Sequence, residues 1–235
     1  MRTATEADIA HVAAAIGDPS RAAILTALAD GGAMPASALA AEAGVSASTV
    51  SAHLAKLREA KLLTVEHDGR HRYFRLASTD VARALEELAR IARPLPVRSL
   101  RGSVRARALM RARLCYDHLA GRLGVALLAA LVDQRTLAYA DGTYRITPDG
   151  RDRLAAFGIE PAEFSRRRPA IRYCVDWGER RHHLAGALGG ALAGRLFELD
   201  WLRRGRARRV VQLTPAGAAG LHDTFGLPTD WDTDA

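Results

Sequence analysis

The stretch SASTVSAHLAKLREAKLLTVEHDGRHRYFRL, residues 46–76, reads as a helix followed by a hairpin. Val50, Leu54 and Leu57 recur at helical spacing and form one apolar stripe, Ser46 stands where an N-cap belongs, and the helix runs to about Ala60. The other face carries small hydroxyls and cations: Ser46, Ser48, Thr49, Ser51, His53 and Lys56. Short hydroxyl side chains near a helix N-terminus let the backbone approach a duplex, donate to phosphates and reach base edges in the major groove. Leu62 to His67 has strand character, Asp68-Gly69 is a hairpin turn, and Arg70 to Leu76 alternates polar with apolar residues. This is a β-wing whose tip, with Arg70 and Arg72, suits flanking phosphates or an adjacent minor groove. Arg75, at the wing root, is expected in an ion pair and is left out of the site.

Upstream, Pro35 to Ala43 reads as a short helix and Gly44-Val45 as a tight turn, so the helix from Ser46 is the second of a helix-turn-helix. Two further helices precede it. Ile9, Val12, Ala13 and Ile16 form one stripe that stops at Gly17-Asp18-Pro19; Ile24, Leu25 and Leu28 form the next, broken at Asp30-Gly31-Gly32. Downstream, Ser78-Thr79-Asp80 caps a helix carrying Val81, Leu85, Leu88 and Ile91, an apolar line longer than so small a core needs.

With GDPSR at 17–21, SASTVSAHLAKLREAKLL and DGRHRYFRL in this order and spacing, residues 6 to 92 resemble the ArsR/SmtB family of bacterial winged-helix repressors. The resemblance implies a symmetric dimer, joined through the first helix and the helix from Val81 to Ile91, that represses transcription until an effector binds. Two-fold symmetry favours a palindromic operator. It also implies metal sites that this sequence lacks: the third helix has no cysteine pair, and DVARALEELARIARP in the dimer helix has no histidine. Metal sensing is therefore not inherited with the family.

The chain has 235 residues and a formal charge of +8, with Lys only at positions 56 and 61. Such an Arg bias, with abundant Ala, is what a GC-rich genome produces, so position says more than total charge. Residues 1–92 hold 10 basic and 11 acidic side chains, and the excess lies beyond them, in Arg93 to Arg113 and Arg203 to Arg209. No run of about 18 apolar residues suggests a membrane span, and the start lacks a secretory pattern. Two cysteines make no disulfide framework. A cytoplasmic protein with no membrane partner is expected.

Beyond the Arg-rich segment the chain repeats itself. His118-Leu-Ala-Gly121 and the Leu stripe after it match His183-Leu-Ala-Gly186 at an offset of 65, and Ile146-Thr-Pro-Asp-Gly150 matches Leu213-Thr-Pro-Ala-Gly217 at 67. Each copy reads as a long helix, a two-stranded element (136–146; 206–213) and a short helix capped by Thr with Pro after it. Gly186, Gly190 and Gly194 suggest close helix packing. Both copies begin alike: Cys115, Asp117 and His118 in one, Cys174, Asp176 and then His183 in the other. Thiolate, carboxylate and imidazole are ligand types for zinc or a softer metal, with Cys115 and His118 expected on one helical face. Core packing and capping, a Cys115–Cys174 thiol switch, and a pocket for a small organic ligand remain open at these residues. Trp177, Phe197, Trp201, Phe157 and Phe164 read as core, or as the wall of such a pocket.

The expected fold is mainly α with small β-wings: a winged helix-turn-helix domain for DNA binding and dimerisation (1–92), an Arg-rich linker (93–113), a sensor module of two winged-helix-like repeats (114–228) and a frayed tail (229–235). The expected function is a homodimeric repressor that needs no cofactor to bind double-stranded DNA and is released by an unknown small effector. A DNA-independent interaction module and an enzyme using the Cys/Asp/His cluster are the alternatives. No nucleophile motif or cofactor fingerprint supports the second.

Overall fold

The computed structural model describes residues 6–93, 100–166 and 168–232. Residues 94–99 of the expected linker and 233–235 of the expected tail lie outside the described residues. The chain divides into two compact units, one up to Leu85 and one from Glu86.

In the first unit, Asp8 caps α1 (Ile9–Ile16) by accepting from the His11 amide, and Asp18 caps α2 (Pro19–Ala27) through the Arg21 amide. A short strand β1 (Met34–Pro35), which the sequence pattern does not reveal, leads into α3 (Ala36–Ala43). Gly44 then takes the left-handed conformation, φ +66°, that lets the chain reverse into α4 (Ala47–Glu59). The wing is β2 (Leu63–Asp68) paired antiparallel with β3 (His71–Leu76), whose other edge carries β1. Ile24, Leu25, Leu28, Leu39, Val50, Leu54, Leu57, Phe74 and Leu76 are buried, so the stripes read for α2 and α4 are core, whereas the α1 stripe has no buried member. Arg75 pairs with Glu66 at 3.0 Å, as expected of a wing-root residue. The helix α5 (Thr79–Ile91) follows.

The boundary falls inside α5, whose second half opens the second unit; α6 (Leu100–Arg111) comes next, and then the same order of elements runs twice. The first run is β4 (Arg113–Cys115), β5 (His118–Ala120), α7 (Gly121–Asp133), β6 (Leu137–Ala140), β7 (Thr143–Ile146) and α8 (Pro148–Ala156). The second is β8 (Arg172–Val175), β9 (His182–Ala185), α9 (Gly186–Glu198), β10 (Leu202–Arg204), β11 (Val211–Leu213) and α10 (Pro215–Phe225). Thr147 and Thr214 cap α8 and α10, each with a proline at the first turn. Leu123, Leu127 and Leu131 of α7 and Leu188, Leu192 and Leu196 of α9 join Leu154, Leu221 and Phe225 in one buried cluster. Phe157, Phe164, Phe197 and Trp201 pack against that cluster, while the Trp177 ring lies 4.3 Å from the Arg113 guanidinium.

Four expectations are corrected here. The long helices begin three residues after His118 and His183, because both histidines stand in β-hairpins and Gly121 and Gly186 (φ +77° and +82°) turn the chain into the helices. Of the three glycines expected to pack closely, Gly186 and Gly190 do, a Cβ there standing 2.7 Å from the Arg172 amide nitrogen and 2.9 Å from Asp117 Oδ2, whereas at Gly194 nothing lies within 4 Å; Gly124 and Gly189 are close as well, a Cβ standing 2.5 Å from the Leu119 carbonyl oxygen and 2.8 Å from that of Leu184. Arg113, placed at the end of a linker, is fully buried in β4. Of the tail, Asp232 pairs with Arg111 at 2.7 Å and Trp231 packs on the core, so these residues are held in place.

Candidate functional site

Two groups of residues carry chemistry. The first is the outer face of α4 and the wing. Ser46, Ser48, Thr49, Ser51 and Lys56 are exposed while Val50, Leu54 and Leu57 fill the core beneath them. The Ser46 hydroxyl accepts from the Thr49 amide and lies 2.8 Å from the Thr49 hydroxyl, and Ser51 donates to the Ala47 carbonyl. These bonds hold the hydroxyls close to the helix and leave acceptor sites facing outward. Arg70 and Arg72 are exposed on the wing. His53 departs from this face: it is largely covered and its Nε2 lies 4.0 Å from the Asp18 carboxylate.

The second group lies in the C-terminal unit. In each repeat the cysteine and the histidine are cross-strand partners: Cys115 faces His118 in the β4–β5 hairpin and Cys174 faces His183 in β8–β9. The relation is a strand register, and the helical face expected for Cys115 and His118 does not exist. Two residues, with Tyr116 at φ +62°, close the first hairpin, whereas Asp176 to Arg181 make the longer turn of the second. Each hairpin packs on the other repeat's helix, β5 on α9 and β9 on α7. Gly189 and Gly124 make room there, since a Cβ at either would lie 3.2 Å from the Cβ of His118 or 3.6 Å from that of His183. The two hairpins therefore converge. One ligand atom from each of Cys115, His118, Cys174 and His183 lies within 4.8 Å of all the others, and the four residues are 2, 5, 7 and 0% exposed. The imidazoles stack with centroids 5.3 Å apart, and His118 Nε2 is 3.7 Å from Cys174 Sγ.

The two aspartates stand behind this cluster. His118 Nδ1 donates to Asp117 at 3.2 Å, and Asp117 is held on its far side by both Nη atoms of Arg168. Burial would lift the Asp117 carboxyl, but the hydrogen bonds from His118 and Arg168 prevail and hold it at about 2. Asp176 Oδ2 lies 3.7 Å from His183 Nδ1 and accepts from Arg113 Nη2 at 2.8 Å and the Gly121 amide at 2.7 Å. Its Oδ1 takes the Gly178 and Glu179 amides. Burial opposes ionisation there too; the Arg113 charge and these amides keep Asp176 below the usual carboxylate value.

Burial pulls both imidazoles down. Bonds to Asp117 and Cys174 reverse this for His118, which is raised, whereas His183 stays lowered. Between the thiols, the mutual hydrogen bond lowers Cys174 and, with burial, raises Cys115. The sequence pattern misses Arg113, Arg168, Glu86 and Arg209. Arg113 and Arg209 share buried Glu86, and Arg209 also bonds the Leu114 carbonyl at 3.0 Å. The one sequence sign of this network is a lone arginine inside the apolar run Ala112-Arg-Leu-Cys115. In the Arg203–Arg209 run, Arg203 pairs with Asp200 at 2.7 Å and Arg204 lies over Phe197.

A helix-turn-helix domain family matches residues 16–66. A Bacillus subtilis (strain 168) protein described as an uncharacterized HTH-type transcriptional regulator, YdfF, is 44% identical over 211 residues, 89% of this chain and 93% of its own length. The HTH-type transcriptional regulator CmtR of Mycobacterium tuberculosis is 41% identical over 86 residues, 37% of this chain and 72% of its own. A solved homodimeric winged helix-turn-helix fragment of Mycobacterium bovis Mb0332, a possible ArsR-family regulator, shares 30% identity over 37% of this chain and 86% of that one, with a TM-score of 0.32. With the winged-helix elements in place and similarity to a regulator along nearly its whole length, this chain belongs to the ArsR family of winged helix-turn-helix transcriptional regulators.

Proposed function

We propose that the protein is a cytoplasmic, homodimeric repressor that binds a palindromic operator through α4 and the β2–β3 wing, and leaves it when an effector binds the C-terminal unit. The carrying observation is the exposed hydroxyl face of α4 over the buried stripe Val50, Leu54 and Leu57: the stripe fixes the helix, and the outward residues are those suited to a duplex. Ser48, Thr49 and Ser51 supply base-edge and phosphate contacts, Lys56, Arg70 and Arg72 phosphate contacts, and Ser46 sets the helix start. His53 acts from behind, through Asp18. This separation lets a domain with no net positive charge bind DNA by local cations.

Exposed apolar residues on α1 and α5 support the dimer. Ile9 is 75% and Ile91 72% exposed in the single chain, with Leu88 beside the latter, and burying them in a second copy gives two recognition helices related by a two-fold axis. An effector favouring a dimer geometry that misplaces those helices releases the operator by population shift. Burial of all four Cys/His residues leaves no opening for a substrate and counts against the enzyme reading.

Selection from a pool of random duplexes by the full-length protein tests this reading. It should enrich an inverted repeat with half-site centres about 10 bp, one turn, apart. Recovery of no common sequence, or of a single half-site, would overturn it.

A further inference from the structure

The paired hairpins of the C-terminal unit place two thiols and two imidazoles around one point, and we infer that Cys115, His118, Cys174 and His183 form a closed tetrahedral site for a zinc-class divalent ion. Its ligands all come from the repeats, and none from the third or dimer helix where the family resemblance points. The inference concerns metal uptake and does not rest on the DNA-binding reading.

Geometry is the first support. A tetrahedral ion with Zn–S near 2.3 Å and Zn–N near 2.0–2.1 Å sets its ligand atoms about 3.3–3.8 Å apart. His118 Nε2 and Cys174 Sγ are already at 3.7 Å, and all four ligand atoms lie within 4.8 Å, so small side-chain adjustments complete the shell. The second support is an unsatisfied group. Both ring nitrogens of His183 are buried without a hydrogen-bond partner, at a residue that is 0% exposed. A buried polar atom left unpaired is expensive, and a metal bond at one nitrogen relieves it.

The third is the arrangement behind the ligands, which recurs in both repeats. Two residues after each cysteine an aspartate stands on the Nδ1 side of the paired histidine, Asp117 at 3.2 Å and Asp176 at 3.7 Å. At His118 the bond from Nδ1 to Asp117 turns Nε2 toward the ion and fixes the tautomer that binds it, while Asp176 holds the corresponding place behind His183 without a hydrogen bond. Each carboxylate is paired in turn, Asp117 with Arg168 and Asp176 with Arg113. Two thiolates, two neutral imidazoles and a divalent cation then sum to zero, as a fully buried site requires. Uptake converts two thiols to thiolates, and their two protons leave to solvent as the two metal–sulfur bonds form.

Four protein ligands and no exposed face make this a closed site. With two ligands from each hairpin, the ion bonds one repeat to the other.

The test is cobalt(II) titration of the full-length protein, reduced and stripped of metal, followed by zinc competition. The inference predicts one equivalent bound, with sulfur-to-metal charge transfer and the intense visible bands of tetrahedral cobalt, all bleached by zinc. Cys174→Ser and His183→Gln should weaken binding on the order of 100-fold or more, and Asp117→Asn, which keeps all four ligands, by about 10–100-fold. Wild-type protein that gives only the weak bands of six-coordinate cobalt, or that isolates under reductant as a Cys115–Cys174 disulfide and takes up no metal, overturns it. So does a folded ligand variant that binds as tightly as wild type. Should the ligand variants fail to fold, the wild-type spectrum and the Asp117→Asn shift decide. No DNA enters the assay, so its failure and that of the regulator reading are separate results.

Discussion

Replacing Asp176 by Asn changes one oxygen to a nitrogen, yet the structure makes it a severe perturbation. Asp176 Oδ2 is the close partner of the Arg113 guanidinium, and both side chains are wholly buried. The other carboxylate near Arg113, Glu86, is 3.9 Å away and already engaged by Arg209. Removing one member of such a pair leaves a buried charge uncompensated, at about 3–5 kcal/mol. The new amide has one acceptor oxygen where the carboxylate has two, so its NH2 meets donors whichever way it turns, Arg113 and the Gly121 N–H on one side or the Gly178 and Glu179 N–H on the other. Taking about 4 kcal/mol for the whole effect, the thermal midpoint of a unit of this size falls by about 8–16 °C. Trp177, Trp201 and Trp231 all lie beyond Glu86, so tryptophan fluorescence in a urea titration reports on this unit alone. A double-mutant cycle with Arg113→Met should show strong coupling, the double variant losing much less than the sum of the two singles. A single variant within about 1 kcal/mol of wild type, or additive losses, would show that Arg113 is solvated or otherwise paired and would refute the reasoning.

Two further outcomes follow from packing. Gly189→Ala drives a methyl group against the Leu184 carbonyl and should cost about 1–3 kcal/mol, whereas Gly194→Ala, on the same helix with open space, should be neutral or stabilising by up to about 1 kcal/mol; urea midpoints that rank the two the other way would contradict the glycine assignment. Ile91→Asp should convert the dimer to a monomer in sedimentation velocity and abolish operator binding with it, and an unchanged mass would remove α5 from the dimer interface.

The first unit is legible from sequence because its signals are local. A serine cap at Ser46, a left-handed Gly44, the Asp68-Gly69 turn and three apolar stripes each report on a few neighbouring residues, and all agree. The strand β1 escapes because two residues, one of them Pro35, carry no period. In the second unit recurrence alone marks Cys115, His118, Cys174 and His183. The relation of Cys115 to His118 is misread as helical because a spacing of three fits a helix turn as well as a two-residue hairpin, and the positive φ of Tyr116 inside that spacing excludes the helix. Asp117 and Asp176, grouped with the cysteines and histidines by composition, stand behind them, 3.2 Å from His118 Nδ1 and 3.7 Å from His183 Nδ1. Arg168 and Glu86 lie 51 and 27 residues from the partners they hold, Asp117 and Arg113, a separation that no local pattern encodes.

The account rests most on the contact of α4 and the wing with DNA. The direct measurement is the affinity of the full-length protein for its selected operator, by fluorescence anisotropy over a series of salt concentrations, for wild type and the Arg70→Ala/Arg72→Ala variant. Log affinity should fall linearly with log salt, and loss of two phosphate contacts should reduce the slope by about 2. A slope near zero, or an identical slope in the variant, would contradict it.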